Sequence, residues 1–185
     1  MSFQNKTDFL RIRAPNPTLS QKWLLTAKLM SVYCLLAPAV IWLIYLSGYL
    51  DLPGYRAAHQ DLFYPLSQSR NLFRSIVREA ILEEVLFRTP IWILAVCELT
   101  LTLTSNLTSK QYRLKFFLIG LAILMPNIYW AVDHSVLIPF VFAAGFGWGW
   151  LVYKTKALWP AIVSHATANF LIYFSIKLAG LFIKI

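Results

Sequence analysis

The sequence is poor in charged residues and in cysteine. Charged residues make up only 14% of its 185 residues and hydrophobic residues 58%, whereas a soluble domain carries roughly 25% charged residues. This low content of charged residues, together with several long apolar runs, argues against a soluble domain and indicates that the chain is embedded in a lipid bilayer. Cys34 and Cys97 both lie in apolar runs and form no CxxC pair, which excludes a secreted disulfide framework.

Acidic residues are scarce as well, with 8 Asp and Glu against 17 Lys and Arg and a net charge of +9. The basic residues cluster between the apolar runs, a pattern that sets membrane topology and meets anionic headgroups. No nucleic-acid-binding motif accompanies the charge, so nucleic acid is not an expected partner. The clusters are Lys6, Arg11, Arg13 and Lys22, then Lys110, Arg113 and Lys115, then Lys154 and Lys156.

The apolar runs predict an all-α fold, a polytopic transmembrane helical bundle with about five to six spans. Residues 1–23 are predicted to form a basic N-terminal arm, and residues 24–185 the bundle. With five spans the basic clusters fall on one side, which predicts a multi-pass membrane protein with a cytoplasmic N terminus. The predicted spans are 28–50, a helix from about 69 to 96 or beyond, 116–132, 136–153 and 158–176, with a possible sixth near Leu99 or beyond Lys177.

Small residues recur four apart within the fourth predicted span. Gly145 and Gly149 form a GxxxG pair, and such pairs let a neighbouring helix approach closely. We interpret this pair as a packing feature. It is as compatible with internal packing as with association between chains, so the oligomeric state stays open.

A group of charges lies inside the second predicted span, where each ionisable residue costs about 2.5–3.5 kcal/mol to insert. Glu84 and Arg88 are four residues apart and share a helix face, so we expect an ion pair. Glu83 points about 100° away, and its neighbour on that face, Glu79, has the same charge. Burial and like charge make a carboxylate hold a proton more tightly, as a general base must. We therefore predict that Glu84 anchors the arginine and that Glu83 is catalytic.

Two further polar groups occur on later spans. Trp130 and His134 are four residues apart, and His165 and Asn169 have the same spacing in the last span, near its middle. A lone histidine at a membrane boundary is often only a surface residue. The second pair could be a hydrogen bond between helices, worth roughly 0.6–2 kcal/mol.

The three groups together resemble the family of CAAX proteases and bacteriocin-processing enzymes (CPBP, or Abi), which includes the type II CAAX prenyl endopeptidases. The family pattern is EExxxR, FxxxH and HxxxN on separate transmembrane helices. This sequence has EEVLFR at 83–88, WAVDH at 130–134 and HATAN at 165–169. The resemblance covers about residues 75–172. It departs from the pattern at Trp130, where the family usually has Phe, so we expect a changed pocket shape but retained activity.

The resemblance implies an intramembrane endopeptidase that acts on a membrane-proximal or lipidated protein or peptide. Glu83 and His134 would hold and activate a water molecule. His165 and Asn169 would stabilise the oxyanion that forms when this water attacks the peptide carbonyl. Peptide hydrolysis needs both functions, a base for water and donors aimed at the developing charge.

Three residues are expected to support this site. Arg88 would hold the acidic motif in shape through Glu84, and Trp130 would shape the pocket. No cofactor and no metal are expected. Zinc is the alternative, because Glu and His are plausible zinc ligands, but the sequence has no HExxH and the amide of Asn169 suits an oxyanion better than a metal.

Two non-protease hypotheses remain open at this stage. Intramembrane glutamate and histidine side chains also relay protons in transporters, although the short chain shows no repeat. Some relatives are linked to bacteriocin self-immunity or scaffolding without catalysis. The expected partners are the bilayer and a protein or peptide substrate of unknown identity. The compact form indicates a prokaryotic cell membrane, which makes a prenylated substrate less expected.

Overall fold

The computed structural model describes residues 16–46, 74–104, 108–134 and 138–182. These residues are almost entirely α-helical, in agreement with the predicted all-α fold. A π-helical turn, Arg74–Arg78, leads into the second helix. The helices are α1 (Leu19–Leu46), α2 (Glu79–Thr104), α3 (Ser109–Asp133), α4 (Ile138–Thr155) and α5 (Trp159–Phe182).

Helix α1 begins earlier than predicted, at Leu19 instead of Lys28. The cause is a capping box: Thr18 N donates to Gln21 Oε1 at 2.9 Å, and Gln21 N donates to Thr18 Oγ1 at 3.3 Å. This reciprocal pair satisfies backbone donors at the start of the helix. The last residues assigned to the N-terminal arm are therefore helical, whereas residues 1–15 lie outside the described part of the chain.

The later helices also extend past the predicted spans. Helix α2 continues to Thr104 and so contains the Leu99 region, and α5 continues to Phe182. A capping box between Thr108 and Gln111 starts α3 before the predicted residue 116. Within the described residues the two candidate sixth spans are thus parts of α2 and α5. Residues 51–69, whose charged residues and prolines predict a loop between the first two spans, lie outside these residues.

Helix α4 is the centre of the bundle, because it contacts α1, α2, α3 and α5. Helix α1 packs mainly along α5, and α3 packs along α4. The α3–α4 contact depends on glycine: a Cβ at Gly149 would lie 3.1 Å from Ile123 Cγ2. The GxxxG pair therefore serves packing inside this chain, as its spacing allowed.

The bundle buries several polar side chains beside its apolar core and exposes many apolar side chains. Its largest fully buried side chains include Arg88, Glu84 and Asn127, while exposed large apolar side chains cover α1 and α3. Two stretches, Leu19–Val40 and Arg113–Val132, are long and apolar enough to cross a membrane, each with mean hydropathy 1.6. An apolar exterior of this extent would be a liability in water and suits lipid, so the architecture fits a helical membrane bundle.

One end of the bundle gathers the basic segments. Glu98, near the end of α2, binds Lys115 of α3 at 2.5 Å and Lys156 of the α4–α5 turn at 3.2 Å. The rings of Trp23 and Trp159 lie 4.5 Å apart at this end, which brings the start of α1 there as well. Among the described residues, these contacts bring Lys115, Lys156 and the start of α1, which carries Lys22, to the same end of the bundle.

Candidate active site

The two adjacent glutamates of α2 have different surroundings. Glu84 is fully buried, with its Oε2 atom 3.4 Å from Arg88 Nε one helical turn later. This is the ion pair that the four-residue spacing predicted. The Glu83 side chain is 29% exposed. One glutamate is therefore enclosed beside an arginine, and the other can meet water or substrate.

His165 of α5 lies between these two carboxylates. Its Nδ1 atom is 2.9 Å from Glu84 Oε1, and its Nε2 atom is 3.8 Å from Glu83 Oε2. Because a carboxylate paired with arginine only accepts hydrogen bonds, His165 Nδ1 must carry a proton, whether or not Nε2 carries one as well. Glu84 thus fixes the ring so that its Nε2 edge faces Glu83.

Trp130 of α3 joins the first two motifs. Its indole Nε1 donates to Glu83 Oε2 at 2.6 Å, and its backbone oxygen accepts from His134 Nδ1 at 2.8 Å. The carbonyl can only accept, so the proton of a neutral His134 lies on Nδ1 and its Nε2 atom is unprotonated. The His134 ring also lies 4.5 Å from the Trp130 ring. His134 and Glu83 are therefore linked indirectly, because each forms a hydrogen bond with Trp130.

The structure does not bring all four predicted catalytic residues into direct contact. Among the described residues, neither His134 nor Asn169 forms a hydrogen bond with Glu83 or His165. His134 is exposed at the end of α3, and Asn169 is partly buried one turn after His165, on the same face of α5. His165 lies in the first half of α5 and not near its middle, because the helix runs on to Phe182.

Two residues of the site were not predicted. Trp148 of α4 stacks on the His165 imidazole, with ring centroids 4.1 Å apart and an interplanar angle of 16°. Asn127 of α3 accepts from Arg88 Nη2 at 3.4 Å and donates to the Phe142 oxygen at 2.6 Å. A lone amide in an apolar span was a usable signal for Asn127. An aromatic residue in an apolar helix gave no comparable signal for Trp148.

Gly145 makes room for this polar centre. A Cβ added there would clash with Asn127 Oδ1 and would lie 2.7 Å from Arg88 Nη2 and 2.9 Å from the Trp130 ring. The first glycine of the GxxxG pair therefore allows α4 to approach the side chains that support the site.

We expect Gly145→Ala to destabilise the protein by about 1–3 kcal/mol, because the new methyl group overpacks a buried site. Gly120→Ala is the matched control, since a Cβ at Gly120 would meet nothing within 4 Å. Thermal unfolding in detergent should show a lower Tm for Gly145→Ala only. Equal Tm values for the two variants would contradict the close approach.

The described residues contain no group of three His, Cys, Asp or Glu side chains placed to hold a metal ion. In this arrangement Glu84 is occupied by Arg88 and His165, and Glu83 by Trp130.

A known protein family matches the chain. The family model described as type II CAAX prenyl endopeptidase, Rce1-like, matches residues 65–171, more than half of the chain, and this range includes all three motifs. No characterised protein and no solved structure was found to match the chain significantly. The helical bundle, the paired carboxylates beside His165 and this match together show that the chain belongs to the Rce1-like family of type II CAAX prenyl endopeptidases.

Proposed function

We propose that this protein is an intramembrane endopeptidase that hydrolyses a peptide bond with a water molecule activated by Glu83. The observation that carries the proposal is the 3.8 Å gap between Glu83 Oε2 and His165 Nε2. A water at about 2.8 Å from each atom would bridge such a gap. The family membership supports a CAAX-type protease, and the gap supplies the place for its water.

The bridging water would be oriented for attack. An imidazolium at His165 donates from Nε2 to the water oxygen, and the water donates one hydrogen to Glu83. As Glu83 takes that proton, the water oxygen bonds to the peptide carbonyl carbon. The proton then passes from Glu83 to the leaving amine, and the carbon–nitrogen bond breaks.

Three groups would complete this chemistry. As the water oxygen bonds to carbon, the His165 Nε2–H group would transfer its hydrogen bond from that oxygen to the negatively charged carbonyl oxygen, and Asn169, one turn away, would add an amide donor when substrate is bound. His134, with Nε2 free, would help to hold the water beside Glu83. Glu84 and Arg88 keep His165 in the required orientation.

The expected substrate is a membrane-proximal or lipidated protein or peptide, since the site lies within a bundle with an apolar exterior. We place the protein in a prokaryotic cell membrane with its N terminus in the cytoplasm. The support for this orientation is that Lys115, Lys156 and the start of α1 lie at the same end of the bundle, since basic residues favour the cytoplasmic side.

The test is a comparison of membrane peptides from cells that express the wild type, Glu83→Gln or Glu79→Gln. Glu83→Gln keeps the size of the side chain and removes the base. We expect at least one uncleaved protein or peptide to accumulate in the Glu83→Gln membranes alone. Glu79→Gln controls for charge, because it removes the same charge one turn earlier but at an exposed position, where water and salt screen its effect on Glu83. Identical profiles for the three strains would contradict a peptidase.

A further inference from the structure

The indole of Trp130 holds one oxygen of Glu83 very closely. The distance from Nε1 to Oε2 is 2.6 Å, at the short end for an N–H group that donates to a carboxylate. The Trp130 side chain is only 3% exposed, whereas the Glu83 side chain is 29% exposed. The donor is therefore enclosed, and the acceptor is the partner that could otherwise move.

The Trp130 ring is fixed from several sides. His134 packs on it at 4.5 Å, Trp148 meets it edge-on at 5.5 Å, and the Arg88 guanidinium lies 5.6 Å from its centroid. A ring enclosed in this way has few rotamers available. Its N–H group is therefore fixed in position and can hold a carboxylate that would otherwise move.

The geometry points to Trp130 as a positioning residue: its indole N–H group holds Glu83 Oε2 towards His165 Nε2 and so sets the width of the gap in which water is activated. This inference rests on the proposed function, because it assigns the indole a role in the same step. A carboxylate oxygen has two lone pairs. Trp130 occupies one on Oε2, and the other remains for the water.

A neutral donor suits this position better than a cation would. Among the described residues, the charged or titratable groups near Glu83 are Glu79, Glu84 and Arg88 on its own helix, His165 on α5 and His134 at the end of α3. Arg88 is directed to Glu84. An arginine or lysine in place of Trp130 would form an ion pair with Glu83 and weaken it as a base. The indole orients the carboxylate without adding charge.

The hydrogen bond is tested first without reference to activity. In the ¹⁵N-labelled protein in detergent, the indole N–H signal that disappears in Trp130→Phe belongs to Trp130. We expect Glu83→Gln to move this signal upfield, because an amide oxygen is a weaker acceptor than a carboxylate. Glu79→Gln should leave it in place. A signal that does not move upfield in Glu83→Gln would overturn the inference.

The role in catalysis is tested with Trp130→Phe, which keeps an aromatic ring and removes the donor. We expect kcat to fall about 10–100-fold, as for a small misplacement of a catalytic group, with KM little changed. The substrate is the peptide that accumulates in Glu83→Gln membranes. Trp92→Phe is the control, because it removes another indole hydrogen bond, the 3.2 Å bond to the Lys156 oxygen, far from the site.

The outcomes separate this inference from the proposed function. If Trp130→Phe has the kcat of the wild type while Glu83→Gln is inactive, the positioning role is overturned and the peptidase proposal stays intact. Equal losses in Trp130→Phe and Trp92→Phe would show a general effect on the fold and would also overturn it. The absence of any accumulating peptide would instead refute the proposed function, and the positioning role would fall with it.

Discussion

His165→Ala is expected to lower kcat/KM for peptide cleavage by about 10²–10⁴-fold. The substitution removes the Nε2 group that faces Glu83 across 3.8 Å. It also removes the Nδ1–H donor to Glu84. The measurement is cleavage of the accumulating peptide by purified protein in liposomes, where concentration and lipid composition are controlled.

The controls for His165 separate chemistry from folding. Thr167→Ala changes a residue two positions later on α5 whose hydroxyl donates only to the Val163 oxygen, at 2.8 Å, and should retain activity within about twofold. His165→Gln can still donate an amide N–H to Glu84, so it should fold and remain inactive. Wild-type activity in His165→Gln with a normal Tm would contradict the role of the imidazole.

Arg88→Met is expected to lower the free energy of unfolding by about 3–5 kcal/mol, more than the loss expected for Gly145→Ala. The guanidinium is buried beside Glu84, and removing one partner of a buried ion pair leaves an uncompensated charge. Asn127 would lose its contact with Arg88 as well. The measurement is the shift in Tm and in the denaturation midpoint for protein in detergent.

A double variant tests whether charge or packing causes this loss. Arg88→Met with Glu84→Gln removes both charges, yet the Gln oxygen can still accept from His165 Nδ1. We therefore expect the double variant to be more stable than Arg88→Met alone, since the two effects are coupled and not additive. A double variant that is less stable than Arg88→Met would show that the buried charge is not the cause.

The sequence predicted much of the site because the spacing of residues along a helix determines which side chains share a face. Glu84 and Arg88, four residues apart, had to share a face, and the structure pairs them. The different environments of Glu83 and Glu84 followed from the 100° rotation between consecutive helical residues. The high cost of charge in lipid indicated that the bundle interior should hold these side chains, and Glu84, Arg88 and His165 are buried there.

Features that depend on contacts between helices could not be predicted in the same way. The spacing of Trp130 and His134 placed them on one face, but only the packing of α3 against α2 reveals that the indole N–H group reaches Glu83. The stacking of Trp148 on His165 depends likewise on how α4 meets α5. The early start of α1 is different, because Thr18 and Gln21 formed a capping-box pattern readable from the sequence.

The most direct measurement compares purified wild type, Glu83→Gln and Glu79→Gln in liposomes, with the accumulating peptide as substrate and EDTA present throughout. Water activation by Glu83 without a metal predicts cleavage by the wild type and by Glu79→Gln, and a rate about 10²–10⁴-fold lower in Glu83→Gln. Cleavage by Glu83→Gln at the wild-type rate, or a wild type that EDTA inactivates and zinc restores, would contradict it.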